Sequence, residues 1–202
     1  EHCCGYLAYL TGSEKFEDFI RNNVERFSKY KPKRILTTCA GCLKTFKELY
    51  PKHADFNIEV FHLVEYMDRL ISEGKLKFGK PLNRKVVYHD PCDLGRHLNI
   101  YEPPRRVLQA IPGIQLVEFK ENRNLARCCG GGGGLKAFDN DLSGEIAYRR
   151  VTDAADLGSD VLVSACPSCK SSLQQASAKL RKEKKRRLKV MDITELVAEA
   201  LA

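Results

Sequence analysis

Tryptophan is absent from the 202 residues, methionine occurs only twice, and aromatic residues make up 8% of the chain. Long apolar runs are missing too. A bilayer crossing needs about 18 or more consecutive apolar residues, so no direct membrane span is expected. There is no secretory leader pattern, and the first residue is Glu1 rather than Met, which suggests a piece of something longer. No basic stripe interleaved with aromatics appears, and no nucleic-acid motif, so no nucleic-acid partner is expected. A phosphate-binding P-loop ends in Gly-Lys-Ser/Thr, whereas Gly134 is followed by Leu135. A dinucleotide fingerprint can be forced onto Gly132, Gly134 and Ala137, but the polar "NRNLARCC" before them is not a strand.

Apolar content of 43% and charged content of 30% describe an ordinary globular protein. The net charge of +8 is concentrated in "KLRKEKKRR" (179–187). A solvated basic helix end accounts for that run; the sharper alternative is a docking surface for an acidic protein. Lys120, Arg123, Arg127 and Lys136 surround the CCG of a second feature, "ARCCGGGGGLKAF" (126–138), where they would balance thiolate charge, attract an anion or be plain solvated positives.

Nine cysteines are the strongest signal. With Lys and Glu plentiful and no secretory leader, a reducing compartment and metal binding are favoured over a disulfide scaffold. The cysteines fall into two copies of one pattern. Cys3 and Cys4, in "CCG", are followed by Cys39 and Cys42 in "CAGC"; Cys128 and Cys129, also in "CCG", are followed by Cys166 and Cys169 in "CPSC". The flanks repeat as well: "RILTTCAGCLKTF" parallels "DVLVSACPSCKSSL", and "IEVFHLVEYM" parallels "LKVMDITELV". Cys92 has no counterpart; its partner would precede Glu1. The boundary is placed in "EGKLKFGKPLNRK", giving units 1–80 and 81–202.

Each unit reads as α/β. Phe16, Phe19, Ile20, Val24 and Phe27 keep helical spacing behind Ser13 as cap, and Pro32 ends that helix. "RILTT" is a strand entering Cys39, Leu43 to Leu49 a helix stopping before Pro51, "IEVF" a strand, and Leu63 to Ile71 a helix. "KVVYH", "IQLVEF" and "DVLVSA" are strands, with helices at "PPRRVLQAI", at 141–157, and after Asp192 and Glu195 in capping-box positions. Strands alternating with helices give two tandem βαβ-type units with parallel sheets. Ligands gather at the carboxyl ends of such strands, where Cys39, Cys92 and Cys166 stand, one site per unit.

Zinc takes four ligands in a tetrahedron, and adjacent cysteines diverge too far to serve one small ion well. Five clustered thiolates suit an iron–sulfur cluster better. Gly130, Gly131 and Gly132, with Gly133 and Gly134, would bring bare backbone against such a centre. They permit positive φ and offer N–H groups to sulfur or an anion. Among the histidines, His89 is the site candidate, bonding cluster sulfur or substrate, or else merely shaping the turn. His97 holds a similar position after Cys92, and His2, His53 and His62 read as surface or packing residues.

"YHDPCDLGRH", "CCGGGGG" and "SACPSCKSSL" resemble the cysteine-rich, or CCG, domain of heterodisulfide reductase catalytic subunits. The same domain occurs in iron–sulfur subunits of glycolate and lactate oxidation systems. The resemblance covers essentially the whole chain as two tandem domains. It implies a non-cubane [4Fe-4S] cluster on Cys92, Cys128, Cys129, Cys166 and Cys169, and a second centre at Cys3, Cys4, Cys39 and Cys42. It further implies paired clusters facing one cleft, with a small-molecule disulfide or other electron acceptor; the catalytic candidates are His89, Cys128 and Cys129. A ferredoxin motif CxxCxxCxxxC is absent, so electrons would arrive from ferredoxin-type, flavin or membrane cytochrome subunits. The location implied is cytoplasmic, with any membrane association through a partner. The alternatives are an electron-transfer subunit of a flavin-dependent glycolate- or lactate-type dehydrogenase, and a zinc-stabilised interaction domain.

Overall fold

A computed structural model describes residues 2–184 and 186–201, with Lys184 described by its backbone alone. Glu1, Lys185 within the basic run, and Ala202 lie outside the described residues. After the first cysteine pair come α1 (Tyr6–Leu10) and α2 (Lys15–Tyr30). The inward face of α2 buries Phe16, Ile20 and Asn23. Lys31 closes α2 in the left-handed conformation just before Pro32. Ser13 is not the cap residue expected; Glu14 holds that place, and Ser13 Oγ accepts only a long 3.4 Å bond from Lys15 N–H.

Strand β1 (Arg34–Thr37) runs into Cys39 and then α3 (Ala40–Lys44). The helix does not stop before Pro51. A π-helical turn over Thr45–Leu49 carries it into α4 (Tyr50–His53). The widened turn relieves the clash of the proline ring with the preceding carbonyls, and the missing Pro51 N–H falls in a first helical turn, where it is not needed. Strand β2 (Glu59–His62) pairs with β1 in parallel, Ile35 beside Val60. It leads into α5 (Leu63–Ser72), capped by His62 Nδ1 and by the Glu65 carboxylate returning to the His62 N–H.

The second sheet has four parallel strands in the order β4-β3-β5-β6: β3 (Arg84–His89), β4 (Ile114–Val117), β5 (Val161–Ser164) and β6 (Lys189–Asp192). Their connections are α6 (Glu102–Ala110), α7 (Leu135–Phe138), α8 (Asn140–Asp156) and α9 (Pro167–Lys184), with α10 (Ile193–Leu201) last. Every residue of β5 is buried, as helices on both faces of a parallel sheet require. Among the described residues β1 pairs only with β2, and its residues alternate between exposed and half-buried. The expected capping box at α10 is present: Glu195 accepts from Asp192 N–H at 2.8 Å, and Asp192 Oδ1 accepts from Thr194 N–H at 2.9 Å.

Two contacts tie the N-terminal elements to the second sheet. Tyr6 Oη donates to Asp93 Oδ1 at 2.8 Å, and Arg106 Nε on α6 donates to Asp68 Oδ1 on α5 at 2.8 Å. The carboxyl ends of β1, β3 and β5 carry Cys39, Cys92 and Cys166.

Candidate metal centre

Each cysteine pair is held by its backbone. At the first, Asn23 Nδ2 donates to the Cys3 carbonyl at 3.0 Å and Tyr50 Oη to the Cys4 carbonyl at 3.1 Å. Both anchors are fully buried, so helix packing positions the loop. At the second, Ser172 Oγ donates to the Cys129 carbonyl at 2.9 Å, and Ser143 Oγ to that of Gly130 at 2.8 Å. None of these four anchors is conspicuous in the sequence; each is a polar residue on an otherwise ordinary helix.

The glycines divide by task. Gly130 has φ of 74°, and a Cβ there would collide with the Ser143 carbonyl. Gly131 lacks positive φ but lies against α9, where a Cβ would stand 2.6 Å from the Ser168 carbonyl oxygen. Gly132, Gly133 and Gly134 face open space. The N–H groups of Gly130 and Gly131 donate to Cys128 Sγ and Cys129 Sγ at 3.2 and 3.4 Å, and Gly5 N–H donates to Cys3 Sγ at 3.5 Å. Such donors stabilise sulfur as thiolate, the metal-ligating form.

The two motifs open onto a common space. Cys3, Cys4, Cys39, Cys42, Cys92, Cys129, Cys166 and Cys169 line one cavity of about 360 Å³, with Tyr6 on one wall and Gly131 to Gly134 with Lys136 on another. Cys128 is exposed and Gly130 buried, and neither lines the cavity. Cys4 and Cys42 approach to 3.4 Å, Cys129 and Cys169 to 3.2 Å, and all nine cysteines are free. The neighbouring thiols of Cys166 and then Cys42 hold the pKa of Cys39 down, at about 3. Cys42 lowers Cys4 to about 6, and burial lifts Cys92 to about 11. Cys129 is pushed far down by thiol donors Cys128 and Cys169, against the opposing effect of burial. Packed sulfurs that must share protons are suited to sharing metal instead.

The remaining candidates separate. His89 is 1% exposed and lies behind the cavity wall, one ring nitrogen within 4.8 Å of the sulfurs of Cys129 and Cys169. His97 is exposed, its Nε2 3.7 Å from Asp93. His53 pairs with Glu17 at 2.7 Å, and His2 is exposed. Arg123 is taken up by Glu102, and Arg127 by Glu121 and Asp153. Lys120 is exposed, and Lys136 alone of the four lines the cavity, its Nζ on Gln175 at 3.0 Å. Behind Cys92, the buried Asp90 accepts both Nη groups of buried Arg105 at 2.7 and 3.0 Å and the Arg123 N–H at 2.9 Å. That network fixes the turn from β3 into Cys92.

Adjacent cysteines in a loop and a CxxC turn at a strand end, repeated and brought to one cavity, define a class. The chain belongs to the cysteine-rich CCG domain family, whose model matches residues 1–47 and 86–174. It is 40% identical, over its full length, to one of the subunits of the dihydromethanophenazine:CoB--CoM heterodisulfide reductase of Methanosarcina barkeri, covering 50% of that protein. It is 35% identical over 92% of its length to the "Probable iron-sulfur-binding oxidoreductase FadF" of Bacillus subtilis, covering 26% of it. With the EtfAB:quinone oxidoreductase of Syntrophomonas wolfei it shares 34% identity over its full length and 29% of the relative. The chain thus spans half or less of these relatives. Among the described residues no helix is long and apolar enough to cross a membrane.

Proposed function

We propose that this chain forms the disulfide-reducing portion of an iron–sulfur oxidoreductase subunit of the heterodisulfide reductase type. One observation carries the reading: cysteines of both motifs line a single cavity large enough for a small organic molecule. The residues fit such a centre. All nine thiols are free, their sulfurs are grouped, and glycine N–H groups point at them. Five thiolates grouped at the second motif exceed the four of a tetrahedral zinc site and suit an iron–sulfur cluster. We assign Cys92, Cys128, Cys129, Cys166 and Cys169 to a non-cubane [4Fe-4S] cluster and Cys3, Cys4, Cys39 and Cys42 to a second centre, within units spanning 1–80 and 81–202. Thiolate-held iron–sulfur supplies one-electron redox chemistry when bound.

The chain's own residues bind and enclose. Reducing a disulfide breaks one S–S bond and takes up two electrons and two protons, leaving two thiols. Gly132 to Gly134 leave the floor of the cavity open to substrate, and Lys136 supplies a cation for an acidic one. The electrons come from partner redox subunits, which also provide any membrane attachment to a chain that works in the cytoplasm. The similarity to FadF and the EtfAB:quinone oxidoreductase supports a second reading, an electron-transfer subunit of a flavin-dependent dehydrogenase. Anaerobic purification with iron and acid-labile sulfide analysis tests the centre: zinc without iron sinks both readings. Disulfide reduction by a reduced dye then separates them. Turnover lost in Cys128→Ser with the fold intact is expected of the reductase; no turnover in the parent protein selects electron transfer.

A further inference from the structure

Arg150 is a long charged side chain only 1% exposed, and the cavity does not use it. It lies on α8 behind the second cysteine pair. Its guanidinium stacks on Phe119, 3.3 Å from the ring centroid, and Nη2 donates to the Glu121 carbonyl at 3.3 Å. Its Nε–H points at His89 Nδ1, 3.3 Å away, across 61 residues of sequence. Burying a charge this deeply is costly, and of all its contacts only the one to His89 leads toward the sulfurs.

A guanidinium has five donors and no acceptor. A bond from Arg150 to His89 Nδ1 therefore requires a lone pair there, and the single proton of the neutral ring sits on Nε2. One ring nitrogen of His89 lies within 4.8 Å of the Cys129 and Cys169 sulfurs, and with Nδ1 engaged by Arg150, Nε2 is the nitrogen left to meet them. A protonated Nε2 has no lone pair for a metal. Ligation by His89 would demand an imidazolate, which leaves Nε2–H as a donor on the side of the sulfurs. We propose that Arg150 is a positioning residue that locks His89 as the Nε2–H tautomer and so aims a hydrogen bond at the Cys129 sulfur, raising the reduction potential of the second centre. This rests on the iron–sulfur reading of the second motif. Hydrogen bonds to cluster sulfur and nearby positive charge both favour the reduced form.

Long-range ¹H–¹⁵N NMR of the metal-free protein reads the tautomer directly. His89 is expected to carry its proton on Nε2, with Nδ1 bare; a proton on Nδ1 overturns the proposal. In anaerobically loaded protein, the relevant iron–sulfur signal is the one that Cys129→Ser removes. In Arg150→Met its midpoint is expected to move negative by a tenfold change in the reduction equilibrium, about 59 mV for one electron. Arg150→Lys, which keeps charge and a donor, is expected to fall between the two. An unchanged midpoint in Arg150→Met also overturns it. If the parent protein holds no iron, the iron–sulfur reading fails, and the tautomer still decides the role of Arg150.

Discussion

Gly131→Ala tests the tightest contact around the second cysteine pair. The added Cβ would stand 2.6 Å from the Ser168 carbonyl oxygen and 2.9 Å from Ser172 Cβ. Both belong to the first turns of α9, which carries Cys169, and Ser172 holds the Cys129 carbonyl. Ordinary contact begins at 3.4 Å, so loop and helix must separate by the difference of 0.8 Å. Gly131 has no positive φ, so the cost is overpacking alone, about 1–3 kcal/mol. For a domain of this size that lowers the melting temperature by roughly 2–12 °C. Cys129 and Cys169, now 3.2 Å apart, move with the two sides, so iron content after anaerobic reconstitution falls as well. Gly132→Ala is the control. Nothing lies within 4 Å of its added Cβ and its φ is not positive, so its stability should stay within about 0.5 kcal/mol. Circular-dichroism melting of both metal-free variants decides the matter. Equal melting of Gly131→Ala and Gly132→Ala would refute the idea that the first glycines pack against α9 while the later ones open the cavity.

Asp90→Asn leaves the buried Arg105 with only the half-exposed Glu118 as counter-charge; a loss of about 3 kcal/mol, or roughly 6–12 °C in melting, is expected. Tyr6→Phe removes the bond to Asp93 between the first cysteine loop and the turn after Cys92; a loss of about 1 kcal/mol in urea denaturation is expected. Burial holds the pKa of His62 below that of a free histidine. The unfolded chain therefore binds its proton first, and stability falls as pH drops below about 6.5. His62→Gln should flatten stability between pH 7 and pH 5, and an unaltered slope would show that His62 does not titrate on unfolding.

Much of the fold is legible because its signals are local. The alternation of β-branched runs with helical spacing, and the proline and glycine punctuation, place most strands and helices within a residue or two. The helix through Pro51 is not legible, because a π-turn depends on packing that no propensity records. His62 reads as an unremarkable packing residue, although its place opposite Asp192 in "IEVFH" and "LKVMD" marks it as the matching cap. The anchors Asn23, Tyr50, Ser143 and Ser172 leave no trace, since a lone polar residue on a helix looks the same whether it binds a loop or water.

By itself, the sequence determined the repeated CCG…CxxC pattern, the α/β class and the placement of Cys39, Cys92 and Cys166 at strand ends. Spacing along the chain and strand direction suffice for those. Only the tertiary structure decided that both motifs open into one cavity, lined by Cys39 and by Cys166 from 127 positions further along the chain. It alone placed Arg150 behind His89. Such meetings follow from how helices pack across two sheets, and the energy that selects them is spread over the whole core rather than written near either residue.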